Sequence, residues 1–370
     1  MHLVNGEQYS GLERVLDHLA ERAPAYGYRF HLVCLKPAEM PGRLQTRQAV
    51  IHRVPMRSRW DLSVARRVAA LAREIRPCLL HSHTVRSAAV TAAVRTRVPL
   101  PWLHHVHSPA RFECEDPLLN RVNHLFERLL LGRADLLLPV SSSLARYLER
   151  YHRTRADRVR IVTNGVPAVA AAAGPAATRP LPTVGAIGLF RPRKGIETLL
   201  HAIHLLDRSG LRLRLRLIGE FVSPAYLEQV RALIVRLELA DRVILAGFCP
   251  EPAEEIAGLD IVVIPSLYGE GLPMVLLEAM AQGKAIVASA VDGITDVTGD
   301  GQAALLVPPG DAPALGRALT RLLDDPDLAH RIRTRARTLQ RTGYSATHMA
   351  ERLFAIYGLM GRPSPNRGQV

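Results

Sequence analysis

A buried strand, a glycine loop and an apolar helix in residues 261–283 constrain the fold more than any other stretch of the sequence. The stretch opens with the β-branched run Ile-Val-Val-Ile, which is typical of a parallel strand covered on both faces. Pro265 ends the strand, and Pro273 and Gly283 suit the start and the end of the following helix. Glu270 is therefore expected in a loop at the carboxyl end of a strand, where open α/β sheets bind their ligands.

Short apolar runs alternate with helical patterns along both halves of the chain. In the first half, strands are predicted at residues 1–4, 30–35, 49–54, 78–81, 101–106, 134–141 and 158–162. In the second half they are predicted at 184–189, 211–219, 242–247, 261–264 and 285–289. The first strand is short for a buried one. Two interpretations are open: the natural start lies a few residues further upstream, or the strand is simply short.

The alternation predicts two domains of one architecture. Residues 171–182 are rich in Ala, Gly and Pro and predict a linker between the halves. We predict an α/β protein with two doubly wound, Rossmann-like domains, 1–170 and 183–344, that face a central cleft. Residues 361–370 are predicted to form a disordered tail.

Composition narrows the class of protein. With 370 residues, of which 48% are hydrophobic, the chain can bury two cores. No window holds the roughly 18 consecutive apolar residues of a membrane span. The N-terminus does not resemble a signal peptide, and the four cysteines form no CxxC pair, which favours reduced thiols and a cytoplasmic protein. The cysteines are Cys34, Cys78, Cys114 and Cys249.

The positive charge is concentrated in the first half. Residues 1–170 hold 26 Arg and Lys against 14 Asp and Glu, whereas the remainder holds 22 against 20. This asymmetry indicates an anionic partner for the first half. A nucleic-acid-binding protein is one alternative, although no reading motif is present. An anionic membrane is another possible partner, which segment 56–76 would contact. The alternative for this segment is an ordinary surface helix. The predicted membrane contacts are Arg57, Arg59, Trp60, Arg66 and Arg67.

Several histidines accompany two of the predicted strands. His81, His83, His104 and His105 invite a metal site, but no carboxylate completes a set of ligands, and we predict no metal. His107 differs because it stands at the carboxyl end of its strand, where ligands bind.

Two motifs resemble those of the family-4 retaining glycosyltransferases. Residues 265–283 read P-S-x-x-G-E-G-L-P-M-V-L-L-E-A-M-A-x-G, which is similar to the family signature carrying Glu270 and Glu278. The loop that ends in Lys194 and Gly195 resembles the family motif G-R-x-x-x-x-K-G, with Leu189 in place of its Arg.

The resemblance implies a GT-B fold and a retaining, metal-independent transfer from a nucleotide sugar. It implies that Glu270 and His107 lie beside the donor sugar, that Glu278 binds the ribose, and that the last helix, at 345–360, packs on the first domain. Lys194 would bind the diphosphate, with Arg191 or Arg193 replacing the missing guanidinium. The resemblance adds to the donor site Gly11, Phe248, Gly271, Leu272 and Pro273.

The expected acceptor is a glycan or a lipid-linked saccharide, in cell-surface or exopolysaccharide synthesis. Together with the basic first half, it favours a cytoplasmic enzyme that is peripheral on the inner face of the membrane. A sugar-nucleotide epimerase of the same architecture stays as the alternative.

Overall fold

A computed structural model describes residues 1–6, 9–36, 44, 46–58, 61–109, 111, 117–169, 181–299 and 301–361. The chain divides into two compact units, Met1–Asn164 together with the segment from Ala346 onward, and Gly165–Ser345. Of the predicted linker only residues 181 and 182, and of the predicted tail only Gly361, lie within the described residues.

The first unit contains a six-stranded sheet in the order β3-β2-β1-β4-β5-β6, and every pairing in it is parallel. Its strands are β1 (His2–Val4), β2 (Phe30–Cys34), β3 (Ala49–Arg53), β4 (Leu80–Ser82), β5 (Trp102–Val106) and β6 (Leu136–Pro139). β1 pairs with β2 on one side and β4 on the other, so the strand order reverses there.

The second unit repeats this arrangement with the order β12-β11-β10-β7-β8-β9, again with parallel pairings throughout. Its strands are β7 (Thr183–Ile187), β8 (Arg214–Ile218), β9 (Val243–Gly247), β10 (Ile261–Ile264), β11 (Ala285–Ser289) and β12 (Leu305–Val307). The prediction of two doubly wound α/β domains is confirmed by these two sheets.

Helices connect the strands in both units. In the first they are α1 (Gly11–Arg22), α2 (Val64–Ile75), α3 (Val85–Arg95), α4 (Pro117–Leu131) and α5 (Ser142–Tyr147), continued by a π-helical turn at Leu148–His152. In the second they are α6 (Ile196–Arg208), α7 (Pro224–Arg236), α8 (Pro252–Ala257), α9 (Met274–Ala281), α10 (Asp292–Thr298), α11 (Ala312–Asp324) and α12 (Pro326–Gly343). The last helix, α13 (Ala346–Met360), belongs to the first unit and contacts α1.

Several helices begin where a side chain caps the free backbone amides. Thr84 accepts a hydrogen bond from the amide of Ser87 at the start of α3, and Ser223 accepts one from Tyr226 in α7. Asp311 caps α11 in the same way. Asp61 lies before the start of α2 at Val64 and accepts hydrogen bonds from the backbone amides of Arg57 and Ser63.

One predicted strand is wrong. Residues 158–162 do not form a strand of the sheet but make a single isolated bridge, between Leu137 and Val159. The backbone continues alongside β6 through the amides of Arg160 and Val162, which donate to Leu137 and Pro139.

The segment predicted to contact a membrane buries its apolar side chains. Val64, Val68 and Ala72 of α2 lie in the core of the first unit together with Met56. Arg57, Arg66 and Arg67 are exposed. The described part of this segment therefore presents positive charge to an anionic membrane, but it presents no apolar face that could insert into one. Arg59 and Trp60 lie outside the described residues. Among the described helices, none combines the length and the apolar character needed to span a bilayer.

Candidate active site

The second unit gathers charged side chains at the point where its strand order reverses. β7 and β10 are neighbours in the sheet, and the loops that follow them come together at their carboxyl ends. The amide of Leu267, after β10, donates to the carbonyl oxygen of Arg193, after β7, over 2.8 Å. This reversal point is where doubly wound sheets bind ligands.

Glu270 is the centre of this group. The Nζ atom of Lys194 lies 2.5 Å from its Oε1 atom, and the hydroxyl of Ser266 donates to the same oxygen over 2.7 Å. The guanidinium of Arg193 lies 3.7 Å from Oε1 and also donates to the carbonyl of Gly269 over 3.0 Å. The fold therefore brings Ser266, Arg193 and Lys194 to Glu270, and Lys194 lies 76 positions before it in the sequence.

The carboxylate of Glu270 stays ionised despite its burial. Burial by itself would raise its pKa, but Lys194 and Arg193, together with the hydrogen bonds of Lys194 and Ser266, lower the pKa to about 2. Glu270 is therefore an anion throughout the physiological pH range. Its negative charge in turn holds Lys194 and Arg193 in fixed positions at the strand ends.

Two glycines allow the loops of this site to approach closely. A Cβ atom on Gly195 would lie 2.1 Å from the carbonyl oxygen of Pro265, and its φ of +66° also favours glycine. A Cβ atom on Gly293 would lie 1.6 Å from the carbonyl oxygen of Gly271. The Gly293 amide also donates to the Glu270 carbonyl oxygen over 3.1 Å, which fixes the loop from behind.

The other predicted donor-site residues of the second unit flank this group. Arg191 precedes the short helical turn of Lys194, whose amide donates to the Arg191 carbonyl over 2.8 Å. Gly271, Leu272 and Pro273 form the buried entry to α9, of which Pro273 is the N-cap. Further residues lie near the strand ends or on the helix: Glu278 is partly buried in α9, and Phe248 follows Gly247 at the end of β9.

In the first unit, His107 follows β5 and is partly buried. Its Nε2 atom lies 3.0 Å from Nδ1 of His83, which follows β4. Burial, and after it the neighbouring histidines His105 and His104, hold the pKa of His107 well below its ordinary value. His107 is therefore a neutral imidazole near neutral pH.

Gly11 is the first residue of α1, and Ser10 is its N-cap. The Ser10 amide and hydroxyl both donate to the carboxylate of Glu13, over 3.1 and 2.8 Å. Ser10 therefore forms part of a capping box at the start of α1.

Three residues beside the predicted site had no predicted role: Ser266 contacts Glu270, His83 contacts His107, and Tyr357 contacts His81 and His2. Ser266 was available to sequence reasoning, because Ser266 lies inside the signature itself. His83 was visible only as the first of two histidines at the ends of neighbouring strands. Tyr357, which reaches the histidines from α13, had no sequence signal because it lies hundreds of positions away from them.

Comparison with known proteins identifies the family. The model for "Glycosyltransferase Family 4" matches residues 9–169, and the model for "Glycosyl transferases group 1" matches residues 168–339. A D-inositol 3-phosphate glycosyltransferase of Thermobispora bispora is 31% identical over 75% of this chain and 70% of its own length. The chain belongs to the group 1, family-4 glycosyltransferases. The resemblance inferred from the two motifs is confirmed.

The match to another relative covers less of that relative's length. An α-D-kanosaminyltransferase of Streptomyces kanamyceticus is 33% identical over 49% of this chain, which spans 46% of the relative's length. Because the chain spans less than two thirds of that relative, the relative's activity does not transfer to it directly.

Solved structures confirm the GT-B fold of this family member. The sucrose-phosphate synthase of Thermosynechococcus elongatus superposes with a TM-score of 0.83 at 23% identity, covering 97% of this chain and 98% of the other. HepE of Anabaena, solved in complex with UDP-glucose, superposes with a TM-score of 0.82 at 20% identity, covering 97% and 98%.

Proposed function

We propose that this family member transfers a sugar, with retention of configuration and without a metal ion, from a nucleotide sugar to a glycan or lipid-linked saccharide. The observation that carries the proposal is the group of Lys194, Arg193 and Glu270 at the reversal point of the second sheet. Two cations beside a helix entry suit a diphosphate. A nucleotide sugar is also the ligand class named for the HepE structure.

In this proposal each residue has a separate task. Lys194, with Arg191 or Arg193, stabilises the charge that builds up on the diphosphate as the glycosidic bond breaks. An ammonium has three N–H donors, so Lys194 can serve Glu270 and a phosphate oxygen together. Glu270 orients the sugar and Glu278 accepts hydrogen bonds from the ribose. The remaining residues assigned to the donor are Gly11, Phe248, Gly271, Leu272 and Pro273.

The reaction needs no base from the protein. As the acceptor hydroxyl attacks the anomeric carbon, its proton passes to an oxygen of the departing diphosphate on the same face of the sugar. The new glycosidic bond forms where the old one breaks, which retains the configuration. Positive charge from Lys194 and the arginines takes the part that a metal ion has elsewhere, so activity is expected to survive chelating agents.

Replacing Glu278 tests the donor assignment. Glu278→Gln should weaken the binding of donor and of free nucleotide alike, by roughly 1.5–3 kcal/mol, because one charged hydrogen-bond acceptor is lost. Titration calorimetry, after thermal-shift screening of nucleotide sugars has identified the donor, measures this change. The matched control is Glu228→Gln, an exposed carboxylate of α7 that pairs with Arg231. Unchanged nucleotide affinity in folded Glu278→Gln protein would contradict the assignment.

Two alternatives make different predictions. Family membership favours an enzyme over a nucleic-acid-binding protein that has no catalytic role. A sugar-nucleotide epimerase would convert its donor with no acceptor present, whereas a glycosyltransferase turns over only with an acceptor or, slowly, with water.

We place the acceptor at an anionic membrane surface, and the support comes from α4. Four large apolar side chains on this helix are exposed by 56–69%, at the spacing of a single helix face. They are Leu118, Val122, Leu125 and Leu129. Exposed arginines, Arg121 and Arg128, lie on the same helix, and its Glu127 is buried.

This combination suits the interface of an anionic bilayer better than segment 56–76 does. Apolar side chains can enter the headgroup region while arginines pair with phosphates, each contributing about 1 kcal/mol. The helix α2 can supply the arginines but not the inserted apolar side chains, because its apolar face is buried in the core.

Liposome co-sedimentation tests the membrane assignment. Replacing Val122, Leu125 and Leu129 together by Ser should abolish binding to vesicles containing anionic lipid, because the inserted apolar area is lost. Replacing Arg57, Arg59 and Trp60 together should change it much less, and serves as the matched control in the other segment. Binding should also weaken with salt, since exposed charges are screened beyond about 10 Å at 0.1 M. If unmodified protein ignores anionic vesicles at low salt, the membrane assignment is wrong.

A further inference from the structure

A continuous row of hydrogen bonds joins α13 to His107. The hydroxyl of Tyr357 lies 2.6 Å from Nδ1 of His81 and 3.0 Å from Nε2 of His2. Nδ1 of His2 lies 2.9 Å from Nε2 of His83, and Nδ1 of His83 lies 3.0 Å from Nε2 of His107. We call these five residues the histidine row. It links strands β1, β4 and β5 and helix α13, all within the first unit.

The orientation of the rings suits hydrogen bonds better than a metal site. The ligand atoms of His83, His105 and His107 lie within 4.8 Å of one another, close enough to raise the question of a metal ion. Their rings, however, are stacked, with interplanar angles of 21–27°. The lone pairs of nearly parallel rings lie in separate planes, so they do not converge on one tetrahedral ion.

The rings of the row are neutral. Burial, followed by repulsion from neighbouring histidines, holds the pKa values of His2, His81 and His83 well below the ordinary value. His107 shares this shift. A neutral imidazole carries one proton on one of its two nitrogens, so one nitrogen donates and the other accepts. A ring in the middle of the row that accepts a hydrogen bond through one nitrogen therefore donates one through the other, so all its hydrogen bonds run in the same direction along the row.

Only two arrangements of the protons keep every contact a hydrogen bond and also give the Tyr357 hydroxyl proton an acceptor within the row. In the first, His81 donates to Tyr357, Tyr357 to His2, His2 to His83, and His83 to His107. All four rings then carry their proton on Nδ1. In the second, every donor becomes an acceptor, and all four rings carry their proton on Nε2. The tautomers of the four histidines are thus coupled.

The far end of the row separates the two arrangements. Nε2 of His81 is buried and has no hydrogen-bond partner among the described residues. In the first arrangement this nitrogen is a bare acceptor, whereas in the second it is a buried N–H without an acceptor. Orphaned N–H groups are the rarer and the more costly of the two. This comparison favours the first arrangement.

We propose that the histidine row fixes the proton of His107 on Nδ1, with Tyr357 acting as the positioning residue that sets its direction. His107 then accepts from His83 through Nε2 and keeps Nδ1–H as a donor for a ligand. Insofar as His107 contacts the donor sugar, which rests on the proposed function, it offers the sugar a hydrogen bond and does not remove a proton from it.

Nitrogen NMR of protein labelled with ¹⁵N in its histidines tests the row directly, since protonated and bare ring nitrogens have well-separated shifts. Each ring is assigned from the signals lost when it is replaced by Gln. In unmodified protein, His2, His81, His83 and His107 should all carry the proton on Nδ1. Tyr357→Phe removes the hydroxyl and keeps the ring, so His107 should shift towards a mixture of tautomers.

Tyr28→Phe is the matched control. The Tyr28 ring packs edge-on against Tyr357 at a centroid distance of 5.5 Å, and its loss of a hydroxyl should leave the His107 tautomer unchanged. An Nε2 proton on His107 in unmodified protein would overturn the proposal. So would an unchanged His107 spectrum in Tyr357→Phe. Because these spectra need no substrate, they decide on the row whether or not the nucleotide-sugar assays support the proposed function.

Discussion

Lowering the pH from about 7.5 to about 5 is expected to unfold the first unit. Five of its buried histidines have lowered pKa values: His2, His81, His83, His104 and His105. Burial lowers the pKa of every one of them, to about 3 for His104 and to about 4 for His105. The other three have pKa values well below the ordinary one.

The direction and the size of the effect follow from linkage. A histidine whose pKa is depressed by folding binds more protons in the unfolded chain, so the unit loses stability as the pH falls below the unfolded value of about 6.5. The loss continues down to the pKa values of the folded state. At about pH 5 each such histidine should cost about 2 kcal/mol. Five of them together approach the whole stability of an ordinary domain, about 5–15 kcal/mol.

Tryptophan fluorescence measures this unfolding selectively, because the chain's two tryptophans, Trp60 and Trp102, both belong to the first unit. The urea midpoint should fall steeply between neutral pH and about pH 5. In the variant His105→Leu, the free energy of unfolding should depend less steeply on pH, by the amount that corresponds to about one proton. A midpoint that stays constant over this range would show that the buried histidines do not govern the stability of the unit.

Removing Lys194 is expected to have the largest effect on catalysis. Lys194→Ala should lower turnover by about 10²–10³-fold, as the loss of one preorganised electrostatic contact does in other enzymes. Binding of nucleoside diphosphate should weaken much more than binding of nucleoside, because in the proposed site the lost charge faces the diphosphate. Arg191→Ala or Arg193→Ala should act likewise if that arginine replaces the guanidinium missing at Leu189. If neither arginine matters, Lys194 and backbone amides hold the diphosphate alone.

Stability measurements separate the proposed catalytic role of Lys194 from its structural role beside Glu270. Without Lys194, the buried carboxylate of Glu270 keeps Arg193 and Ser266 as partners among the described residues. The second unit should then lose about 2 kcal/mol, since Lys194 is partly screened by solvent. The double variant Lys194→Ala/Glu270→Gln should recover much of this stability without recovering nucleotide affinity. Lys284→Ala is the matched control: Lys284 donates to two backbone carbonyls of the same unit, over 2.8 Å each. It should lower stability and leave nucleotide binding unchanged.

Local patterns carried most of the fold. Residues 261–283 could be recognised because strand, loop and helix are contiguous, and each depends on its own spacing of apolar residues and on Pro or Gly at its ends. The same reasoning misplaced a strand at 158–162, where an apolar run borders the sheet but makes only one bridge. Whether a run joins a sheet depends on the neighbour available to it, and the run itself does not specify that neighbour.

Burial of amphipathic helices was a second limit. The sequence predicts an apolar face for α2, but it does not tell which of the two helices, α2 or α4, leaves its apolar face exposed. In the structure the apolar face of α2 packs into the core, whereas Leu118, Val122, Leu125 and Leu129 of α4 are exposed. Periodicity shows that a helix has an apolar face; the surrounding elements decide whether that face is covered.

The sequence by itself determined the family, the two doubly wound domains, and the presence of Glu270 and Lys194 at strand ends. These properties depend on residues close together in the chain. Only the tertiary structure decided that Lys194 pairs with Glu270, and that Tyr357 reaches His107 through His2 and His83. The physical reason is that strand order and helix packing set these contacts, and both join residues far apart in the sequence.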